Sequence, residues 1–182
     1  MPHASDVLRL LRAFDPRADI RAVRSLEQTR GLLRASADPF SRTSFDPGHI
    51  TASGVVLAPD RGRVLLVFHR RLQRWLQPGG HVEPADEDLA ETARREVLEE
   101  TGVALDPGTA PRVVGVDVHQ IPARADEPPH WHHDVVFRFM AQTDRIAPEW
   151  GREVRWCELD RLGDYDADEA LSRAVARAVQ NV

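Results

Sequence analysis

Apolar positions recur every three to four residues through the first 36 positions, and then the pattern switches to alternation. Leu8, Leu10, Leu11 and Phe14 predict a short amphipathic helix over 5–14, with Ser5 placed to cap it and Asp15-Pro16 breaking it. Ile20, Val23, Leu26, Leu32 and Leu33 predict a second helix over about 18–36. Asp38-Pro39 and Asp46-Pro47-Gly48 then mark a loop. Beyond it, Ile50–Ala58 and Arg63–His69 read as strands of a hairpin turning at Pro59-Asp60-Arg61-Gly62. Trp75-Leu76-Gln77 reads as a short strand halted by Pro78-Gly79-Gly80. A helix is expected over 87–101, strands over Arg112–Gln120, His133–Ala141 and Glu153–Glu158, and a last helix over about 167–180. The expected class is α+β, with helices packed on a sheet over about 48–182. Residues 1–47 form a two-helix extension, expected as a small cap or an oligomer contact, with a homodimer among the assemblies considered.

Composition narrows the possible partners. The 182 residues are 42% hydrophobic and 29% charged, which suits one soluble domain with a sizeable core. A formal charge of -5 lacks the basic footprint of a nucleic-acid or anionic-membrane binder. A polyanionic small molecule would need a local reversal of charge, from bound cations or clustered Arg. All 24 basic residues are Arg, so no Lys is present for Schiff-base or nucleophilic chemistry. Cys157 is the only cysteine and is expected to be a small buried hydrophobe rather than a disulfide or zinc ligand. No apolar run suggests a signal peptide or a membrane span, so a cytoplasmic location is expected.

The chemistry concentrates in residues 80–103. Leu89, Ala90, Ala93 and Val97 recur at helical spacing and would face the sheet, and Gly102 is placed to stop the helix. Asp88 with Glu91 three residues on reads as a capping box. Glu96, Glu99 and Glu100 fall at i, i+3 and i+4, so their carboxylates share one face. Like charges at that spacing cost a few tenths of a kcal/mol each without a counter-ion. A divalent cation is the natural one, since Mg²⁺ takes hard oxygen ligands together with phosphates.

Glu87, then Arg95-Glu96-Val97, Glu99-Glu100 and Gly102-Val103 follow the pattern of the Nudix box, and the chain resembles the Nudix (MutT-like) hydrolases. That pattern places five residues between its first Gly and first Glu; here six separate Gly80 from Glu87, the extra one falling in the Val82–Asp86 turn. The resemblance implies an α/β/α sandwich with a mixed sheet. It also implies that Glu96, Glu99 and Glu100, with the Gly80 carbonyl, hold Mg²⁺ or Mn²⁺, and that Arg95 and Glu87 orient those carboxylates. The implied reaction is attack of water on the pyrophosphate linkage of a nucleoside diphosphate derivative, with Glu100, Glu149 or Glu153 as base. The leaving group stays open among nucleotides, sugar nucleotides, dinucleoside polyphosphates and coenzyme A.

Arg70, Arg71 and Arg74 are candidates for phosphate contact, and Trp75 either stacks on a base or packs in the core. His130, His132 and His133 invite a zinc reading, but no His-x3-His or Cys partner supports it, so structural hydrogen bonding is expected; His49 and His119 read likewise. Strand alternation would place His132 and Asp134 on one face and His133 on the other. Two rivals are a diphosphate isomerase, which needs a Cys early in the sheet where this chain has none, and a non-catalytic nucleotide-binding regulator.

Overall fold

The computed structural model describes residues 1–70, 72–124, 127–148 and 151–180. Helices α1 (Ala4–Arg12) and α2 (Ile20–Ala35) come first. Then follow β1 (His49–Leu57), β2 (Arg63–His69), β3 (Arg74–Leu76), β4 (Gly79–His81) and α3 (Leu89–Thr101). The chain continues with β5 (Arg112–Ile121), β6 (His130–Met140), β7 (Val154–Glu158), a 3-10 helix (Leu159–Tyr165) and α4 (Glu169–Gln180). The strands form one mixed sheet in the order β3-β2-β1-β6-β5, with β1 parallel to β6. β2 meets β1 only near the hairpin, at Leu57 and Val64, so the same edge of β1 is free at Thr51–Ser53 and β4 pairs there.

Period-two alternation sorts the apolar residues of this sheet into two layers. Ile50, Ala52, Val56, Leu65, Val116, Val135, Phe137 and Phe139 pack with α1, α2 and α3. Val55, Leu57, Val64, Leu66, Val114 and Val136 pack with Leu162 of the 3-10 helix and with Leu171, Ala174, Val175 and Ala178 of α4. Residues 1–47, expected as an extension, contribute Val7, Leu11, Phe14, Leu26, Leu32 and Leu33 to the first layer's core. Asp19 caps α2 through Ala22 N and also takes ion pairs from Arg173 and Arg177 of α4, tying the two ends of the chain together. Cys157 is buried on β7, as a small apolar residue would be.

Two local differences from the expectation have clear causes. Pro78-Gly79-Gly80 does not merely halt a strand; Gly79 and Gly80 open β4, because a residue with a Cβ at 79 would lie 2.3 Å from the Ser53 Cβ across the pair. β6 starts at His130 rather than His133, because its first residues pair with His49 on β1 and with Gln120 and Ile121 on β5. The rest of the expected elements lie within a few residues of their observed bounds.

α3 forms as its sequence suggests. Asp88 accepts a hydrogen bond from Glu91 N at 2.8 Å, and Leu89, Ala93 and Val97 are buried against the sheet. Full burial of Leu89 and Val97 contributes about 2 kcal/mol each. The Glu91 carboxylate reaches Glu87 N rather than the cap residue, so the reciprocal arm is displaced by one. Gly102 ends the helix at φ 66, and a Cβ there would stand 2.1 Å from the Ala147 carbonyl oxygen. Gly102→Ala is therefore expected to destabilise the chain by at least about 2 kcal/mol, read as a lower urea midpoint with unchanged slope.

Candidate active site

Arg95 organises the polar face of α3. Its Nε and Nη2 donate to the two oxygens of Asp86 at 3.1 and 3.0 Å, a forked pairing. Nη2 also donates to the His81 carbonyl at 2.8 Å, and Nη1 donates to Glu96 at 2.9 Å and to Glu99 at 3.2 Å. Asp86 is buried and accepts further hydrogen bonds from Glu83 N at 2.9 Å and Thr92 Oγ1 at 2.8 Å. Burial pushes the Asp86 carboxyl up, but these donors outweigh it and hold its pKa below the ordinary carboxylate value.

The helix lies close to β4. A Cβ at Gly80 would be 2.5 Å from Glu96 Oε1, so only glycine lets the carboxylate sit on the main chain there. Gly79 N donates to Glu100 Oε2 at 3.1 Å, and Arg152 donates to Glu100 Oε1 at 2.5 Å. Burial raises the pKa of both Glu96 and Glu100, opposed by Arg95 at the first and Arg152 at the second.

These groups line a cavity of about 650 Å³, which includes Glu96, Glu100, Gly80, Arg70, Gly151 and Arg152. Thr51, Ser53, His81, His132 and Asp134 line it too. Asp134 is buried and accepts from Thr51 Oγ1 at 3.0 Å and Ser53 Oγ at 2.6 Å. Its pKa is raised by burial.

The NUDIX domain model matches residues 48–179. The chain belongs to the NUDIX family. Phosphatase NudJ of Escherichia coli (strain K12) is 43% identical over 63 residues, 35% of this chain and 40% of that protein. The chain spans between 29% and 40% of the lengths of such curated relatives. A solved structure of the E. coli dihydroneopterin triphosphate pyrophosphohydrolase superposes with a TM-score of 0.54 at 19% identity, covering 73% of this chain and 96% of that one. The NUDIX domain of Shewanella oneidensis NrtR, solved with ADP ribose, gives 0.52 at 20% identity, covering 78% and 93%. At such identities the structural likenesses establish a NUDIX fold, the α+β architecture expected above.

Within this NUDIX fold the expected site residues separate. Glu96, Glu100 and Gly80 come together on the cavity wall, whereas Glu99 is half-exposed beside Arg95. Arg70 lines the cavity and donates to the Gly151 carbonyl at 2.5 Å. Arg74 and Trp75 lie elsewhere because neighbouring strand residues face opposite ways: Arg74 borders a second, smaller cavity, and Trp75 packs on Phe68 and Tyr165. Trp75 is partly buried and packs against the second core layer. Arg71 and Glu149 fall outside the described residues. Glu153 is exposed, and its carbonyl accepts from Phe68 N. As alternation requires, His132 and Asp134 share the cavity while His133 turns away to Thr29 Oγ1 at 3.1 Å.

Three participants escaped the sequence reading. Arg152 pairs with a carboxylate 52 positions earlier, and Asp134 is held by hydroxyls from another strand; nothing local marks either. Asp86 did carry a signal, since five residues separate it from Gly80. In this turn it is Asp86 that pairs with Arg95. The 83–86 turn, closed by Asp86 N to the Glu83 carbonyl at 3.0 Å, folds Asp86 under the helix, and Glu87 is left exposed.

A hard divalent cation fits this wall. The donors are carboxylate and carbonyl oxygens, gathered where a Cβ at 80 would fill the space, and the partly buried Glu96 and Glu100 carry a desolvation penalty that a cation would relieve.

Proposed function

We propose that this chain is a metal-dependent hydrolase that cleaves the pyrophosphate linkage of a nucleoside diphosphate derivative, of the nucleotide or nucleotide-sugar type. The observation that carries this reading is the convergence of Glu96, Glu100 and Gly80 on one cavity wall under the control of Arg95. Glu96, Glu99, Glu100 and the Gly80 carbonyl would hold Mg²⁺ or Mn²⁺. When bound, the cation supplies charge neutralisation for the diphosphate and a lowered pKa for an attacking water. Arg95 fixes the rotamers of Glu96 and Glu99, so their charges are in place before substrate arrives. Arg70 and Arg152 bring positive charge to the cavity of a chain whose net charge is negative, and their guanidinium forks suit phosphate oxygens. Glu100, partly buried on the wall, is placed to take the proton of the water. The compartment proposed is the cytoplasm, in keeping with a single buried cysteine; no helix among the described residues is long and apolar enough to cross a membrane.

The test is a pyrophosphatase assay with Mg²⁺ or Mn²⁺ over nucleoside triphosphates, ADP-ribose, other sugar nucleotides, dinucleoside polyphosphates and coenzyme A. Metal-dependent release of a monophosphate supports the proposal. A chain that binds nucleotide yet releases no product from any of them is a binding module instead. Arg70→Ala is expected to raise KM about tenfold with kcat within about twofold, the loss of one charged phosphate contact. An unchanged KM would remove Arg70 from the substrate site.

A further inference from the structure

Five of the eight histidines meet at one corner of the molecule. His49 opens β1, His81 closes β4, His130 and His132 open β6, and His119 lies on β5. Sheet register brings them together: His49 lies opposite His132 on β6, which lies opposite His119 on β5, while β4 sets His81 beside them. Ring centroids stand 5.1 Å apart for His49–His81 and His81–His132, and 4.8 Å for His49–His132. One ring nitrogen from each of these three lies within 4.8 Å of the others. Clusters of imidazoles without intervening carboxylates are poor core packing, because each ring carries a lone pair that needs a donor.

The hydrogen bonds show which lone pairs are left over. His49 Nδ1 is 3.1 Å from the Ser44 carbonyl, which can only accept, so Nδ1 holds the proton. His49 Nε2 therefore bears a lone pair, and it is fully buried with no hydrogen-bond partner. His130 repeats the arrangement, with Nδ1 2.9 Å from the Pro128 carbonyl. Its Nε2 is 3.2 Å from His132 Nε2. That spacing is close to the roughly 3.3 Å edge of a tetrahedron built on metal–nitrogen bonds of about 2.0–2.1 Å. A backbone carbonyl gripping Nδ1 is also how metal-ligating imidazoles are commonly oriented.

We propose that His49, His81 and His132 form a second metal site, selective for a borderline transition ion such as Zn²⁺, with His130 beside it as a fourth ligand. It is distinct from the oxygen-donor wall of α3. Nitrogen donors favour Zn²⁺ over Mg²⁺, so the two sites sort metals by donor chemistry. Ligation uses a lone pair, and the protons held on His49 Nδ1 and His130 Nδ1 leave the Nε2 atoms of both rings able to ligate. Closing the ligand atoms from separations of up to 4.8 Å onto an ion would fall to the half-buried His81 and His132. Those two rings also line the cavity that holds Glu96 and Glu100, so an ion there would sit beside whatever that cavity binds. The Arg95 hydrogen bond to the His81 carbonyl links the two sites mechanically.

The experiment is Zn²⁺ titration of the chelator-treated full chain, free of any histidine tag, by calorimetry, with Co²⁺ absorption as a second readout. Neither readout depends on hydrolysis, so its outcome is separate from that of the proposed activity. One equivalent of Zn²⁺ is expected to bind with Kd at or below about 1 μM, and Co²⁺ to give the intense visible bands of a four-coordinate site. His81→Asn and His132→Asn, each checked by circular dichroism for folding, should each weaken Zn²⁺ by at least about 100-fold and abolish the Co²⁺ bands. Glu96→Gln and Glu100→Gln should leave both signals in place. Absence of saturable Zn²⁺ binding at 100-fold higher concentration overturns the proposal, as does binding lost in the Glu variants and kept in the His variants.

Discussion

Glu100→Gln is expected to lower kcat/KM by on the order of 10³-fold, about 4 kcal/mol of transition-state stabilisation, with no loss of fold. Glu100 is the carboxylate of α3 placed for this effect. It is partly buried on the cavity wall, its oxygens are held by Gly79 N and Arg152, and desolvation already makes its charge costly. Gln keeps the volume and can still accept from Gly79 N, so packing survives. It removes the negative charge that would hold a cation and the basic oxygen that would take a proton from water. The partner Arg152 is 42% exposed and can be resolvated when its carboxylate goes. Kinetics with saturating Mn²⁺ beside a thermal melt distinguish the outcomes. Near-normal kcat/KM in Glu100→Gln would remove it from the metal and base roles together. The half-exposed Glu99 should show a smaller loss, because its single contact to Arg95 leaves it freer to be replaced by water.

Asp86→Asn is expected to cost about 2–3 kcal/mol of stability and to lower Tm by roughly 5–10 °C. The Asp86 side chain is 3% exposed and Arg95 19%, so this is a buried ion pair whose charges have left water already. Asn cannot satisfy both Arg95 donors and the Thr92 hydroxyl, and its NH₂ group points a donor at donors. The loss falls short of a fully orphaned charge because Arg95 keeps Glu96 and Glu99. The effect depends on pH in a defined direction. Asp86 is held below its unfolded pKa, so its stabilisation is fully present above about pH 4 and is lost as pH falls through the folded value. The gap between wild type and Asp86→Asn should thus be widest near neutrality and shrink below about pH 4 in urea titrations. Glu87→Gln, on the exposed neighbour, should change stability by less than about 0.5 kcal/mol. If Glu87→Gln is the damaging variant, Arg95 is held by Glu87 in solution and the assignment of the turn is wrong.

The two substitutions mark how far local pattern reaches. The period of α3, its Asp88 cap, its Gly102 stop and the shared face of Glu96, Glu99 and Glu100 all follow from spacing within one helix. Those interactions span four residues or fewer, so a linear reading captures them. The hairpin between β1 and β2 was readable for the same reason, since its turn lies between its two strands. The partner of Arg95 was harder. Choosing between Asp86 and Glu87 turns on whether the 83–86 turn folds one carboxylate under the helix, and adjacent acidic residues look alike in a string.

The arginine-bearing side of the cavity was less legible still. Arg70, Arg74 and Trp75 are close in sequence, yet strand alternation and the pairing of β3 with β2 send only Arg70 to the cavity. Of these histidines only His130 and His132 are close in sequence, while His49, His81 and His119 lie in separate segments. Only the parallel pairing of β1 with β6, and the entry of β4 beside β1, makes neighbours of them. The sequence alone determined the helix that would break a diphosphate, because that arrangement is periodic and local. Tertiary structure decided which acid clamps Arg95, which arginines reach the cavity and where the imidazoles converge, because those contacts are set by register between distant strands.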